Sequence, residues 1–371
     1  MLSAWEGAPL KEIAPGINFN TVPHRNRPLT TRCYPSLMGD SRQRFATLDA
    51  MRGVAAIGVM LWHTPGNQGL PGGYLMVDLF FAISGFVMAL NYEDRLRRGM
   101  PVRHFLALRV ARLWPMIVIG TLPCVLLLNA WIGMAFLLPE IRTPSLYPSN
   151  PAYWSLLMEA CAYVAFALSA PRLSASGVAV VALISGLALS MAVVGHPLLF
   201  EFGSFWHTVP HGLARVAFSF SIGVLVYRIR AAQGLPWVES GRAWILPAAL
   251  LPIMMLVPAH GQLQGLLVIL VALPLLLWLA TKWDVPHLRF ATGLSALSYP
   301  LYCLHMPGLW IGDRLGMPTV ATWVGLIGFS LALDRWADRP MRRKLRAAVE
   351  RRWQFTPVPA SPHFGSPAQN S

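Results

Sequence analysis

Ten stretches of mostly apolar residues, each close to the roughly 20 that a membrane helix needs, govern what this chain can fold into. They lie near 48–65, 74–91, 113–133, 152–170, 175–194, 209–227, 244–258, 263–281, 293–312 and 319–335. The seventh is short and carries Pro247, Pro252 and Pro258, so nine or eleven spans are the alternatives to ten. Composition agrees with a lipid solvent. Only 12% of residues are charged, against about 25% in a soluble domain, and 55% are apolar, with a mean hydropathy of +0.50. A soluble enzyme, a disordered protein and a disulfide scaffold are all poor fits. The expected fold is all-α: a polytopic transmembrane helix bundle of about ten spans.

The net charge of +14 would suggest nucleic acid in a soluble protein. Its distribution suggests a membrane instead. With ten spans and an inward N-terminus, all but four of the 30 Lys and Arg fall on one side. Arg142 and Arg314 fall on the other, and Arg52 and Arg215 lie within spans. Positive charge stays on the cytoplasmic side, so both termini are expected there, and the charge needs no nucleic-acid partner. Residues 1–44 are polar and Pro-rich without an apolar signal region, and read as a disordered tail. Met38 is an alternative translation start. Residues 45–336 form the expected membrane domain, and 337–371 a basic cytoplasmic tail. Cys33, Cys124, Cys161 and Cys303 are widely spaced and read as ordinary thiols, neither ligands nor disulfides.

Ionisable residues inside spans are costly and usually functional. Arg52 and His63 share the first span, eleven residues apart. Helical geometry puts them on one face, about 16 Å apart along the axis. They are either a basic binding group and a proton acceptor, or a snorkelling arginine and an interfacial histidine. Asp78, at a depth similar to His63, could orient an imidazole or pair with an arginine. Arg109 and Arg112 form an i, i+3 fork suited to phosphate, or contribute ordinary topological charge. Glu159 lies a third of the way into the fourth span, and His305 in the outer half of the ninth. His207, His211 and Arg215 recur every four residues at the mouth of the sixth, where Pro210 could disturb the helix. They read as an interfacial or acceptor-facing cluster; two histidines without a third ligand make a poor metal site, and no metal is expected.

At these residues the sequence resembles membrane-bound acyltransferase family 3, which includes bacterial O-antigen, exopolysaccharide and Nod-factor O-acyltransferases. Leu48-Asp-Ala-Met-Arg-Gly through His63 is similar to the family's Arg-x10-His signature. Val77-Asp-Leu-Phe-Phe-Ala-Ile-Ser-Gly-Phe resembles its second-helix motif, and Arg109-x-x-Arg112 with Pro115 its Arg-x-x-Arg motif. Trp154-Ser-Leu through Glu159 and Tyr163, Ser298-Tyr-Pro-Leu-Tyr through His305, and Asp338-Arg-Pro resemble later motifs. The resemblance covers roughly 45–345. The Ala-Cys-Ala after Glu159 departs from the more polar family pattern.

The resemblance implies transfer of an acyl group, usually acetyl, from cytoplasmic acetyl-CoA to a hydroxyl of an extracytoplasmic or lipid-linked glycan. The setting would be a bacterial cytoplasmic membrane. It implies His63 as catalytic base with Asp78 and Glu159 in the catalytic set, and Arg52, Arg109 and Arg112 on the donor. His305, His211 and Arg215 are expected on the acceptor. The chemistry is coherent: a thioester yields to a hydroxyl once a base takes its proton, and histidine is matched to that near neutral pH. A transporter of an anionic amphiphile would use the same intramembrane charges and is the competing reading.

Overall fold

The structure is a computed structural model that describes residues 45–65, 70–195, 198–234, 238–285 and 289–353. The N-terminal tail, Met38 and Cys33 lie outside these residues. Every predicted apolar run falls on a helix, as lipid demands: a run without water must satisfy its backbone hydrogen bonds internally. In chain order these are α1 (Ala46–Trp62), α2 (Gly73–Arg97), α3 (Val102–Leu128), α4 (Tyr153–Ser169) and α5 (Ala175–Gly195). Then come α6 (Val209–Gln233), α7 (Gly241–Leu256), α8 (Gln262–Ala280), α9 (Arg289–Arg314), α10 (Thr319–Leu333) and the polar α11 (Arg339–Arg352). Among the described residues, five helical segments are long and apolar enough to cross a membrane: α2, α3, α5, α8, and α6 with its preceding turn. The fold is an all-α membrane bundle. One short parallel pair, β1 (Val238–Glu239) with β2 (Trp283–Asp284), is added to it.

Local chemistry explains where helices start and stop. α3 begins eleven residues before the apolar run. Pro101 caps it with extended backbone, and no proline interrupts it until Pro115. It ends at Asn129 in the left-handed conformation (φ 51°), a common helix stop. Pro210 does not break α6, because it sits in the first turn, where no intrahelical N–H is needed. α1 has no capping side chain of its own. Asp284 substitutes for one, accepting from Thr47 N at 2.8 Å and Thr47 Oγ1 at 3.1 Å.

Close approaches hold the bundle together. A Cβ on Gly85 of α2 would lie 2.0 Å from the Phe220 carbonyl oxygen of α6, and one on Gly223 of α6 would lie 2.0 Å from that of Ala82. Small residues allow such backbone contact where lipid removes the hydrophobic incentive to pack. α1 packs along α9 in the same manner, with Gly53 against Leu294. Among the described residues three wider π turns interrupt the helices, at Ala89–Glu93, Val268–Ala272 and Asp334–Asp338. The last joins α10 to α11, which lies against α3.

Candidate active site

α1 carries a different functional group at each end. At its C-terminal end His63 is half-buried, and its Nδ1 lies 2.9 Å from the Val59 carbonyl. A carbonyl only accepts, so Nδ1 bears the proton and Nε2 keeps a lone pair. The packing of α1 on α9 places His305 opposite, with ring centroids 5.0 Å apart and planes at 49°. His305 is fully buried. Its Nδ1 donates to the Tyr302 carbonyl at 2.8 Å, and its Nε2 has no hydrogen-bond partner. Two basic nitrogens therefore share one region.

The backbone around His305 is held from α4 and the loop before it. Pro307 lacks an N–H, which leaves the Cys303 carbonyl without its intrahelical donor. Asn150 Nδ2 supplies one at 3.2 Å. The Tyr302 hydroxyl bonds the Ser155 hydroxyl and donates to the Ala152 carbonyl at 3.2 Å. Asn150 was not singled out in the sequence, and Ser155 and Tyr302 entered only as members of motifs without a role; the signal for this bracing was the pair of prolines inside α9.

The other end of α1 is basic. Arg52 is half-buried and lies within electrostatic reach of Arg112, Asp49, Glu159 and Tyr163. Among the described residues, neither Arg52 nor Arg112 forms a hydrogen bond or an ion pair. Arg109 is buried; its Nη2 donates to the Tyr92 hydroxyl at 2.7 Å and its guanidinium lies 4.7 Å from the Tyr92 ring centre. Its Nε is unpaired. Glu159 accepts from the hydroxyls of Ser84 at 2.6 Å and Tyr163 at 2.5 Å. Thus Arg112 and Glu159 both lie within electrostatic reach of Arg52, with Arg109 more enclosed beside Tyr163.

Asp78 does not orient His63. Arg215 Nε and Nη2 reach its two carboxylate oxygens at 3.2 and 2.5 Å, and Ser219 Oγ lies 3.4 Å from one of them. Both members of the ion pair are 1% exposed. The remaining Arg215 donors go to the carbonyls of Leu199, Phe202 and Tyr74. Arg215 therefore ties α2, α6 and the loop before α6 together, leaving no donor for an acceptor sugar. His211 lies tilted against Phe202 and His207 stacks on Phe205, with centroids at 4.6 and 5.7 Å. Of the expected acceptor set, His305 alone faces His63.

A family model described as an acyltransferase domain, the third such family, matches residues 45–333. The chain belongs to acyltransferase family 3. The match contains both histidines, the three arginines, Asp78 and Glu159, and ends before Asp338 and α11. The chain is also similar to "Protein 2 in picA locus" of Rhizobium radiobacter, at 44% identity over 81 residues. That alignment covers 21% of this chain and 42% of the relative. No solved structure matches.

Proposed function

We propose that the chain is an integral membrane O-acyltransferase of a bacterial cytoplasmic membrane. It moves an acyl group, acetyl in the simplest case, from cytoplasmic acyl-CoA to a hydroxyl of an extracytoplasmic or lipid-linked glycan. One observation carries this reading: α1 presents an unpaired arginine at one end and a histidine with an available Nε2 at the other. Their separation of eleven positions corresponds to a rise of about 16 Å, comparable to an extended pantetheine arm. A single donor can then rest its phosphates at Arg52 and Arg112 and bring its thioester to the histidine pair.

In the proposed reaction His63 Nε2 takes the acceptor hydroxyl proton as the oxygen attacks the thioester carbonyl carbon. The C–O bond forms, the C–S bond breaks, and the imidazolium returns its proton to the departing thiolate. His305, close to His63, lies against the same reacting groups. A positioned base of this kind contributes about 10²–10⁴-fold.

The purified chain in detergent, given acetyl-CoA and an envelope glycan fraction, should release CoA thiol and acetylate the glycan. Mass spectrometry of envelope glycans from cells with and without the protein should identify the acceptor. A transporter needs a sealed vesicle, so failure to turn over acetyl-CoA in detergent, with transport in vesicles, would refute the enzyme reading.

A further inference from the structure

The basic end of the bundle receives a guanidinium from outside the family-matched segment. α11 lies against α3, and Trp353 anchors its end. The Trp353 ring stacks on His104 with centroids 5.4 Å apart and planes at 4°, and the Arg103 guanidinium sits 4.6 Å from the Trp353 ring centre. Arg342, on the first turn of α11, has Nη2 2.9 Å from Asp338 Oδ2 and 3.2 Å from Asp334 Oδ1. Both carboxylates are buried. Arg342 Nε is buried and makes no hydrogen bond, and neither Asp338 oxygen has a well-directed donor. The ion pairs hold Arg342 in place without using all its hydrogen-bonding capacity.

Arg112 lies within electrostatic reach of Arg342 and Asp338 on one side and of Arg52 on the other. Among the described residues the two matched arginines have no counter-charge in hydrogen-bonding contact; Asp49 and Glu159 act on Arg52 and Asp338 on Arg112 only through space, and Arg342 brings a third guanidinium whose charge is shared with Asp338 and Asp334. Such a gathering favours a multiply charged anion with several acceptor oxygens.

We propose that Arg342 is a phosphate-binding residue for the donor, held at the mouth by Asp338 and Asp334 until a phosphate engages its remaining N–H groups. This rests on the acyl-CoA reading above and deepens it: α11 would complete the donor site.

The test is calorimetric titration of coenzyme A, and separately of pantetheine, which lacks the phosphates, on the full chain in detergent. Arg342→Gln should weaken coenzyme A by about tenfold or more, the loss of a charge-assisted hydrogen bond, and leave pantetheine binding unchanged. The exposed neighbour Arg343, changed to Gln, controls for general surface charge and should change affinity by no more than about twofold on the scale of surface charges. Because Arg342→Gln leaves buried Asp338 without its partner, Asp338→Asn/Arg342→Gln removes both charges and should show the same loss in a folded protein. Full coenzyme A affinity in that double variant, with weakened binding in Arg112→Ala, would overturn the role of Arg342 and leave the acyl-CoA reading standing. Equal losses for coenzyme A and pantetheine would also overturn it, marking a structural effect. An unaltered chain with no affinity for coenzyme A or acetyl-CoA would overturn both readings.

Discussion

The imidazoles of His63 and His305 stand 5.0 Å apart, each with Nδ1 committed to a backbone carbonyl of its own helix. If the pair performs the proposed proton transfer, His63→Ala should reduce acyl transfer by about 10²–10⁴-fold while the protein still inserts and folds. Initial rates on protein matched for amount and melting temperature provide the measurement. Undiminished turnover in that variant would remove His63 from the chemistry.

Asp78 and Arg215 form a buried, hydrogen-bonded pair, so their substitutions should act mainly on stability. Asp78→Asn should cost about 3–5 kcal/mol, because it leaves a buried guanidinium without its counter-charge. Replacing both with apolar residues, as in Asp78→Leu/Arg215→Met, should recover much of the loss. Thermal melting in detergent reads this directly. An Asp78→Asn protein that melts like the unaltered chain but has lost activity would return the carboxylate to the catalytic set.

Asp338 lies beyond the last apolar helix. Burial pushes its carboxyl up to about 6 from the usual 3.8, against the opposite pull of Arg342 and Arg112. Between those values the folded protein holds a proton that the unfolded chain has released, so stability should fall as pH rises through that window. Asp338→Asn should flatten this part of the curve. Melting temperatures taken at intervals from about pH 4 to 7, the range spanned by the shifted and ordinary carboxylate values, supply the comparison; parallel curves would refute the assignment.

Gly85 and Gly223 lie where α2 and α6 meet backbone to backbone. Gly223→Val should force the helices apart and cost about 1–3 kcal/mol or more by overpacking. Gly325 has open space around its Cβ position, so Gly325→Ala should change stability little. Similar melting losses at the two sites would contradict the close crossing.

The charge asymmetry predicts that tags at either terminus are protected in intact cells and that a tag near residues 143–149 is accessible. Labelling with a membrane-impermeant reagent distinguishes the two. An accessible C-terminal tag would reverse the proposed direction of acyl flow, because Arg52 and Arg112 would then face away from cytoplasmic acyl-CoA.

The helices were legible because lipid leaves few choices: an apolar run that must satisfy its own backbone becomes a helix. That Arg52 and His63 lie at opposite ends of one helix followed from the length of the apolar run. Side-chain partners did not. Asp78 had two plausible companions in the sequence, and only the crossing of α2 with α6 selects Arg215. The contact of His305 with His63 was not legible, because nothing local reveals that α9 lies along α1. Arg342 was lost among the many basic residues after the last span. Its available signal was the four-residue spacing of Asp334, Asp338 and Arg342, which lines up acidic and basic groups along a helix.

The π turn at Asp334–Asp338 changes which charges can meet. Asp334 pairs with Arg339, five residues on, as well as with Arg342. In an ordinary α-helix a residue five positions along lies about 140° around the axis, out of reach. The wider winding brings it beneath, so one carboxylate is shared by two guanidiniums. The electrostatic character of this end is therefore set by how the backbone is wound as well as by side-chain identity: the same residues in a regular helix would leave Arg339 without Asp334 and give the proposed donor mouth a different balance of charge.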